Sequence, residues 1–171
     1  MAITINGSGG VTGLTALPDS AMSSGSIIQV VTAGTNAQIT TTSTTLSEIT
    51  SDLRVTLTPT NANNIILVLC FFGVLSSNSH VITFQIMKDG TTAVNPPNSS
   101  GVNSDGNVTF WSLYEYMGNA STCVSETAGN TNERYYTPFW RINTATAYLN
   151  SYRLTSSYKG TSRMVAMEIA A

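Results

Sequence analysis

The alternation of apolar and polar positions along this chain predicts β-strands throughout. Residues 53–58, Leu-Arg-Val-Thr-Leu-Thr, alternate strictly, which gives one buried face and one solvated face. Residues 27–31 are rich in β-branched side chains, and residues 38–45 form a threonine tract; both compositions suit a pleated strand and disfavour a helix. No window shows a convincing helical period.

The longest apolar run, Ile65–Leu75, lacks polar alternation, so we predict a central strand covered on both faces. It is far shorter than the ~20 residues of a membrane-spanning helix, and we expect no membrane partner. Strand Val81–Lys88 follows, with Ile82, Phe84 and Ile86 on one side. Asp89-Gly90 then predicts a tight hairpin turn, because both residues accept a positive φ.

The second half of the chain continues the same pattern. Residues 95–107 contain Pro96-Pro97 and are predicted to be a long loop, since proline cannot donate to a strand ladder. Further strands are predicted at 108–117, 135–142, 147–155 and 163–169, and the polar stretch 118–133 is interpreted as a connection. Eight to ten short strands indicate an all-β antiparallel sandwich, with a jelly roll as the best single topology.

The chain divides into an arm and a domain. Residues 1–47 hold a single charged side chain, Asp19, and the first 25 residues are glycine-rich with few large apolar side chains. Such a segment buries too little surface to offset its ordering entropy alone. We therefore predict a docking arm over residues 1–25, ordered only against another surface, and a β-sandwich domain over residues 26–171.

The composition argues against several classes of function. Lys and Arg number 7 against 9 Asp and Glu, a net charge of −2, so no basic field favours a nucleic-acid partner. One histidine, His80, excludes every metal motif that needs two, and we read it as a solvated side chain before a strand. Cys70 and Cys123 form no C-x-x-C motif, and Cys70 is predicted to be a buried thiol.

No catalytic motif appears, and we expect no enzyme activity, no cofactor and no metal. The glycine-rich residues 7–13 miss the dinucleotide-binding and phosphate-loop spacings. Residues 103–107 only faintly resemble a calcium loop. The carboxylates of Glu115, Glu126, Glu133 and Asp105 lie in the aromatic half, but nothing in their spacing pairs two of them for glycoside hydrolysis.

The aromatic side chains with polar tips are concentrated late in the chain. All seven tyrosines and both tryptophans follow residue 110. Such rings fill a sandwich core, line a contact between subunits, or form a platform for a sugar face, and these three readings stay open. Strand alternation would point Tyr148, Asn150 and Tyr152 to one side.

Several short segments, in their order along the chain, resemble virion proteins of tailed bacteriophages. They are residues 3–8, 25–31, 42–45, 55–60 with 65–68, 88–91 and 166–170. The resemblance covers most of the chain except residues 95–135. It implies a trimeric β-sandwich similar to the jelly-roll domains of complement C1q and tumour necrosis factor, located in the virion.

The resemblance also implies a role and a set of contact residues. The short segment before the first strand favours a homotrimeric capsid-decorating (cement) protein that binds the major capsid protein or other virion proteins through its arm. The alternative is a tail-fibre or spike knob that binds host surface glycans through loops at 95–107 and 118–134. The expected arm contacts are Ile3, Ile5, Val11, Leu14 and Leu17. The expected trimer contacts are Tyr114, Tyr116, Tyr148 and Tyr152.

Overall fold

The computed structural model describes residues 22–77, 80–94, 108–111, 118–152 and 155–171, without the side chains of 108–111, 152 and 155–158. These residues form two antiparallel sheets and a two-stranded ribbon. Sheet I contains β1 (Ile27–Thr35), β2 (Ile39–Thr41), β5 (Ile65–Ser76), β9 (Gly118–Thr127), β11 (Ala147–Leu149) and β14 (Ser162–Ile169). Sheet II contains β3 (Ser47–Glu48), β4 (Val55–Leu57), β6 (Val81–Lys88), β7 (Thr92–Ala93), β8 (Val108–Trp111) and β10 (Arg134–Ile142). The ribbon is β12 (Ser151–Tyr152) with β13 (Thr155–Lys159).

The chain crosses repeatedly between the two sheets, which is the connectivity of a jelly-roll-like sandwich. In sheet I, β5 lies between β14 and β9, and β1 pairs with the other edge of β14. In sheet II, β10 lies between β6 on one side and β3 and β4 on the other. The predicted all-β antiparallel fold is therefore confirmed, and no α-helix occurs in the part of the chain that the structure describes.

The hydrophobic core lies between the sheets, where an aromatic stack joins them. The ring of Phe72 on β5 stacks on that of Phe84 on β6 with centroids 4.1 Å apart, and Phe84 lies 6.4 Å from the ring of Trp140 on β10. All three side chains are buried. Offset ring pairs of this kind add about 0.5–1.5 kcal/mol beyond the apolar area they bury.

Strand β6 and the hairpin turn that follows it match their sequence predictions. Strand β6 has the predicted bounds, and Ile82, Phe84 and Ile86 are buried in the core. The hairpin turn follows, with φ of 52° at Asp89 and 68° at Gly90. These positive φ values at both central positions define the turn type that matches the twist of paired strands.

Two strand predictions are wrong, those for β5 and for residues 118–127. Strand β5 is central, but among the described residues it is covered on one face only: Ile66, Val68 and Cys70 are buried, whereas Ile65 and Phe71 are 41% and 48% exposed. Residues 118–127, interpreted as part of a connection, form β9 along β5. Pairing with β5 satisfies the backbone of β9, so its few apolar side chains suffice.

The predicted strand over residues 147–155 is interrupted at Asn150. This residue has a φ of 59° and is 1% exposed, while Tyr148 is half-buried, so Tyr148 and Asn150 do not share one face of a continuous strand; the side chain of Tyr152 lies outside the described residues. The Asn150 amide donates to the carbonyls of Thr35 (3.0 Å) and Ala37 (3.1 Å) and accepts from Ser162 Oγ (2.8 Å). Asparagine tolerates this left-handed conformation better than most residues, and these bonds hold it there.

Candidate interaction surface

The feature that stands out from this sandwich is the outward surface of sheet I. Its strands place their outward side chains in cross-strand rows: Val30 opposite Met167, Met167 opposite Leu67, and Leu67 opposite Ser125 in one row. The neighbouring rows pair outward side chains of β1, β14, β5 and β9 in the same way. We call this surface the outer face; its apolar members are Ile27, Val30, Ile65, Leu67, Leu69, Phe71, Cys123, Val165, Met167 and Ile169.

The outer face leaves large apolar side chains in solvent. Ile27 is 54% exposed, Val30 53%, Phe71 48% and Ile65 41%. Single exposed apolar residues are ordinary in globular proteins, but a contiguous patch marks an interaction site. The four lie on neighbouring strands, since Ile27 pairs with Ile169 and Ile169 pairs with Ile65. They therefore belong to one patch.

Charge is nearly absent from this surface. Arg163 is the one charged residue among the outward positions of these rows, at the corner where it pairs with Phe71 and Gly34. On the side of β9 the rows end in small polar residues, Ser121, Ser125 and Thr127. An apolar centre with a small polar margin is the anatomy of a protein contact surface.

Cys123 lies on the same face, in the row that also contains Leu69 and Val165. Its thiol is free and exposed, whereas the thiol of Cys70 is free and buried, as predicted. Burial raises the pKa of Cys70, because the thiolate is poorly stabilised away from water. The two cysteines therefore provide one accessible and one inaccessible thiol.

The predicted contact residues are only partly described. The arm positions Ile3, Ile5, Val11, Leu14 and Leu17 lie outside the described residues, as do Tyr114, Tyr116 and the side chain of Tyr152. Tyr148 is described: its neighbours Ala147 and Leu149 point into the core, so its half-buried ring points to the outward side of sheet I. The arm and trimer assignments stay predictions.

The last residues of the predicted arm are anchored beside the outer face. The Gly25 amide donates to the Ala170 carbonyl at 2.8 Å, and the Ala170 amide donates to the Ser26 carbonyl at 2.9 Å. Gly25 and Ser26 therefore lead into the domain next to Ile27, at the edge of this face.

A buried carboxylate ties the end of sheet I to the loop before β5. Glu168 Oε1 accepts from the Thr60 amide (2.8 Å), the Thr60 hydroxyl (2.7 Å) and Asn64 Nδ2 (2.7 Å), while Oε2 accepts from Gln29 Nε2 (2.6 Å). Burial opposes ionisation, but the bonds from Asn64, Gln29 and Thr60 outweigh it and lower the pKa of Glu168. These contacts give the group a structural role.

A second carboxylate, Glu126, belongs to an ion-pair cluster. It accepts from Lys88 Nζ at 2.8 Å and from the Tyr136 hydroxyl at 2.6 Å. Burial and the hydrogen bond to Glu126 raise the pKa of Tyr136. Nearby, Arg134 is buried and donates to the carbonyls of Ala128 (2.5 Å) and Asn130 (2.9 Å). The cluster holds the loop before β10 against the sheet.

The clefts of the described surface are lined mainly by polar residues. One of about 290 Å³ is lined by Asn36, Gln38, Lys159 and Asn150, and the Asn150 amide is already engaged within the fold. Within the described ranges, no group of three or more His, Cys, Asp or Glu side chains is placed to hold a metal ion. Nor does that part of the chain contain a helix long and apolar enough to cross a membrane.

The outer face escaped sequence reasoning, although its signal is present. Apolar residues at both odd and even positions of β5 predict cover on both sides, but they are equally consistent with one exposed apolar face. The neighbouring strands β1 and β14 also carry apolar residues on both faces, at Val30, Val31, Val165 and Ala166. Two-sided apolar strands in a two-sheet sandwich imply either a further layer or an exposed apolar surface.

Comparisons with known proteins add little to these observations. No protein-family model and no curated protein matches this chain. Among solved structures, it is similar to a chain from the structure of deformed wing virus, a honeybee pathogen, with 9% identity and a TM-score of 0.23. That match covers all of this chain and 51% of the other, so this chain spans about half the length of the protein it matches. At this TM-score the likeness carries no argument about function.

Proposed function

We propose that this protein is a structural component of a bacteriophage virion: a homotrimer that decorates and stabilises the capsid shell and docks through residues 1–25. The observation that carries the proposal is the outer face, an apolar and nearly uncharged sheet surface on a folded jelly-roll-like domain. A contiguous exposed apolar patch of this kind is typical of a surface that contacts another protein. The phage and capsid assignments rest on the sequence resemblance.

The polar groups of the domain support a structural role. Its described carboxylates with lowered pKa are held by neighbours within the fold: Glu168 by the loop before β5, and Glu48 by Arg54 and Thr137. The hydrogen bond from Arg54 lowers the pKa of Glu48 most. Carboxylates tied up in this way brace loops and strands, which suits a protein whose task is assembly.

The arm gives the proposal its sharpest test. We expect the purified protein to have a native mass about three times its 18.1 kDa chain and to bind phage capsids prepared without it. A chain lacking residues 1–21 retains every residue of the core cluster, so we expect it to fold and remain a trimer. It should lose capsid binding, measured by co-sedimentation with the shells.

The outcomes separate the two candidate roles. Capsid binding that survives the deletion would remove the docking role of the arm. Binding of the intact protein to host cells or to a glycan array, without binding to capsids, would favour the receptor-binding knob instead. Circular dichroism of the shortened chain is the control, because a misfolded domain would also fail to bind.

A further inference from the structure

We propose that the outer face of sheet I is the contact between copies of this chain, so that the occupant of the surface is the same surface of the other two copies around the three-fold axis. The inference rests on the self-association in the proposed function, but not on capsid binding. It assigns that contact to Val30, Leu67, Leu69, Phe71 and their row neighbours on β14. Of the predicted tyrosine contacts, the described Tyr148 lies beyond the end of these rows, opposite Ser76.

The charge pattern favours a second copy over a charged partner. The rows of the outer face contain one cation, Arg163, at a corner, and no carboxylate. Two copies can therefore meet without bringing like charges together at the centre. A partner with a charged surface would instead lose hydration of its charges without gaining ion pairs across the interface.

The dimensions of the face also suit self-association. At about 3.3 Å per residue and about 4.8 Å between strands, the rows extend about 20 Å along β5 and about 14 Å across four strands. Including the margins, each copy presents roughly 500 Å², so a trimer that covers all three faces buries roughly 1,500 Å² in total. In a closed trimer, each face is shared between two neighbours.

The position of the polar residues agrees with this arrangement. The most exposed large side chains, Ile27 and Val30 on β1 and Phe71 on β5, lie around the half-buried Leu67 and Leu69. Ser121 and Ser125 follow at the β9 margin. A contact on this face would exclude water from its apolar centre and leave the polar margin at β9 hydrated, as in interfaces between subunits.

Charge placed on the face tests the proposal. Val30 and Phe71 are about half exposed in the single chain, so Val30→Lys or Phe71→Lys should leave the fold intact. We expect either variant to lose the trimer and sediment as a monomer at micromolar concentration. Thr56→Lys is the matched control, because Thr56 is an exposed strand residue on sheet II, and it should remain a trimer. Circular dichroism and thermal unfolding verify that each variant is folded.

Cys123 provides an independent readout within the native protein. We expect its reaction with a thiol reagent to be at least tenfold slower in the trimer than in the Val30→Lys monomer. Cys70 is buried and should react in neither. The chain lacking residues 1–21 distinguishes cover of the face by other copies from cover by the arm. If other copies cover the face, Cys123 should stay protected in this shortened chain.

Each contrary result has a distinct meaning. A folded Val30→Lys or Phe71→Lys protein that remains a trimer overturns the proposal, as does a native trimer whose Cys123 reacts freely; self-association would then use another surface. Cys123 that becomes reactive on deletion of residues 1–21, at unchanged mass, shows that the arm covers the face. A monomeric native protein overturns both this inference and the trimer, whereas loss of capsid binding alone affects only the proposed function.

Discussion

Replacing Glu168 by glutamine removes one negative charge from the most heavily hydrogen-bonded carboxylate of the fold. Glu168 is fully buried at the end of β14, and no cation lies among the hydrogen-bond partners that the structure gives it. Its charge is stabilised by neutral donors of Thr60, Asn61, Asn64 and Gln29. Glutamine has nearly the same shape, so Glu168→Gln changes the charge and one acceptor while leaving the packing in place.

The expected cost follows from those bonds. Hydrogen bonds to a charged group contribute about 1.5–3 kcal/mol each and are roughly twice as strong as neutral ones. Neutralisation therefore removes about 1 kcal/mol from each of the three short bonds to Oε1. The new amide group also faces Gln29 Nε2, a donor, in place of Oε2. Neutralisation also relieves the cost of burying the charge, so the net loss is smaller than the sum of the weakened bonds. We expect the free energy of unfolding to fall by about 1–3 kcal/mol at pH 7, out of ~5–15 kcal/mol for a typical domain.

The lowered pKa of Glu168 determines how this difference in stability changes with pH. The pKa of Glu168 in the folded protein lies below its ordinary 4.5, so the folded state binds this proton less readily than the unfolded state does. The stabilisation is therefore fully present above about pH 4.5 and is lost as the pH falls through the lowered folded pKa. The difference between wild type and Glu168→Gln should shrink over that window.

Urea unfolding followed by tryptophan fluorescence, from pH 7 down to pH 3, measures both quantities. Glu133→Gln is the matched control, because Glu133 is exposed, and it should change stability by less than about 0.5 kcal/mol. Glu48 titrates equally in all three proteins and cancels in the differences. The reasoning would be refuted if Glu168→Gln were as stable as wild type at pH 7, or if its deficit stayed constant down to pH 3.

Two further predictions concern packing. Phe84→Ala removes the central ring of the stack between Phe72 and Trp140, and should lower the free energy of unfolding by about 3–5 kcal/mol in the same urea assay; a loss below 1 kcal/mol would contradict the packing described. At Gly160 a Cβ atom would clash with the Val74 amide nitrogen and the Gly73 backbone, so Gly160→Ala should abolish soluble expression. Gly129→Ala, with a φ of 72° and open space around it, should cost only about 1 kcal/mol, and equal yields of the two variants would refute the steric argument.

Local pattern was enough to predict the class of the fold and several of its elements. Strand β6 and the turn at Asp89-Gly90 follow from alternation and from the φ preferences of two residues, which depend on neighbours within a few positions. The buried state of Cys70 follows in the same way from its apolar run. These are interactions whose physics is contained within one short segment.

Partners distant in the chain decided the elements that sequence reasoning misjudged. Ser and Thr in β9 become a strand because β5, some fifty residues earlier, satisfies their backbone. Asn150 interrupts a plausible strand because Thr35, Ala37 and Ser162 capture its side chain. No local propensity contains these bonds.

The outer face shows the same division between what local pattern determines and what distant partners determine. The sequence by itself determined that β1, β5 and β14 carry apolar residues on both faces, since that is a property of composition and alternation. Only the tertiary structure decided that these strands lie side by side and that their outward face has no covering layer among the described residues. The reason is physical: alternation tells which side chains share a face, but whether that face meets protein or water depends on the packing of segments far apart in the chain.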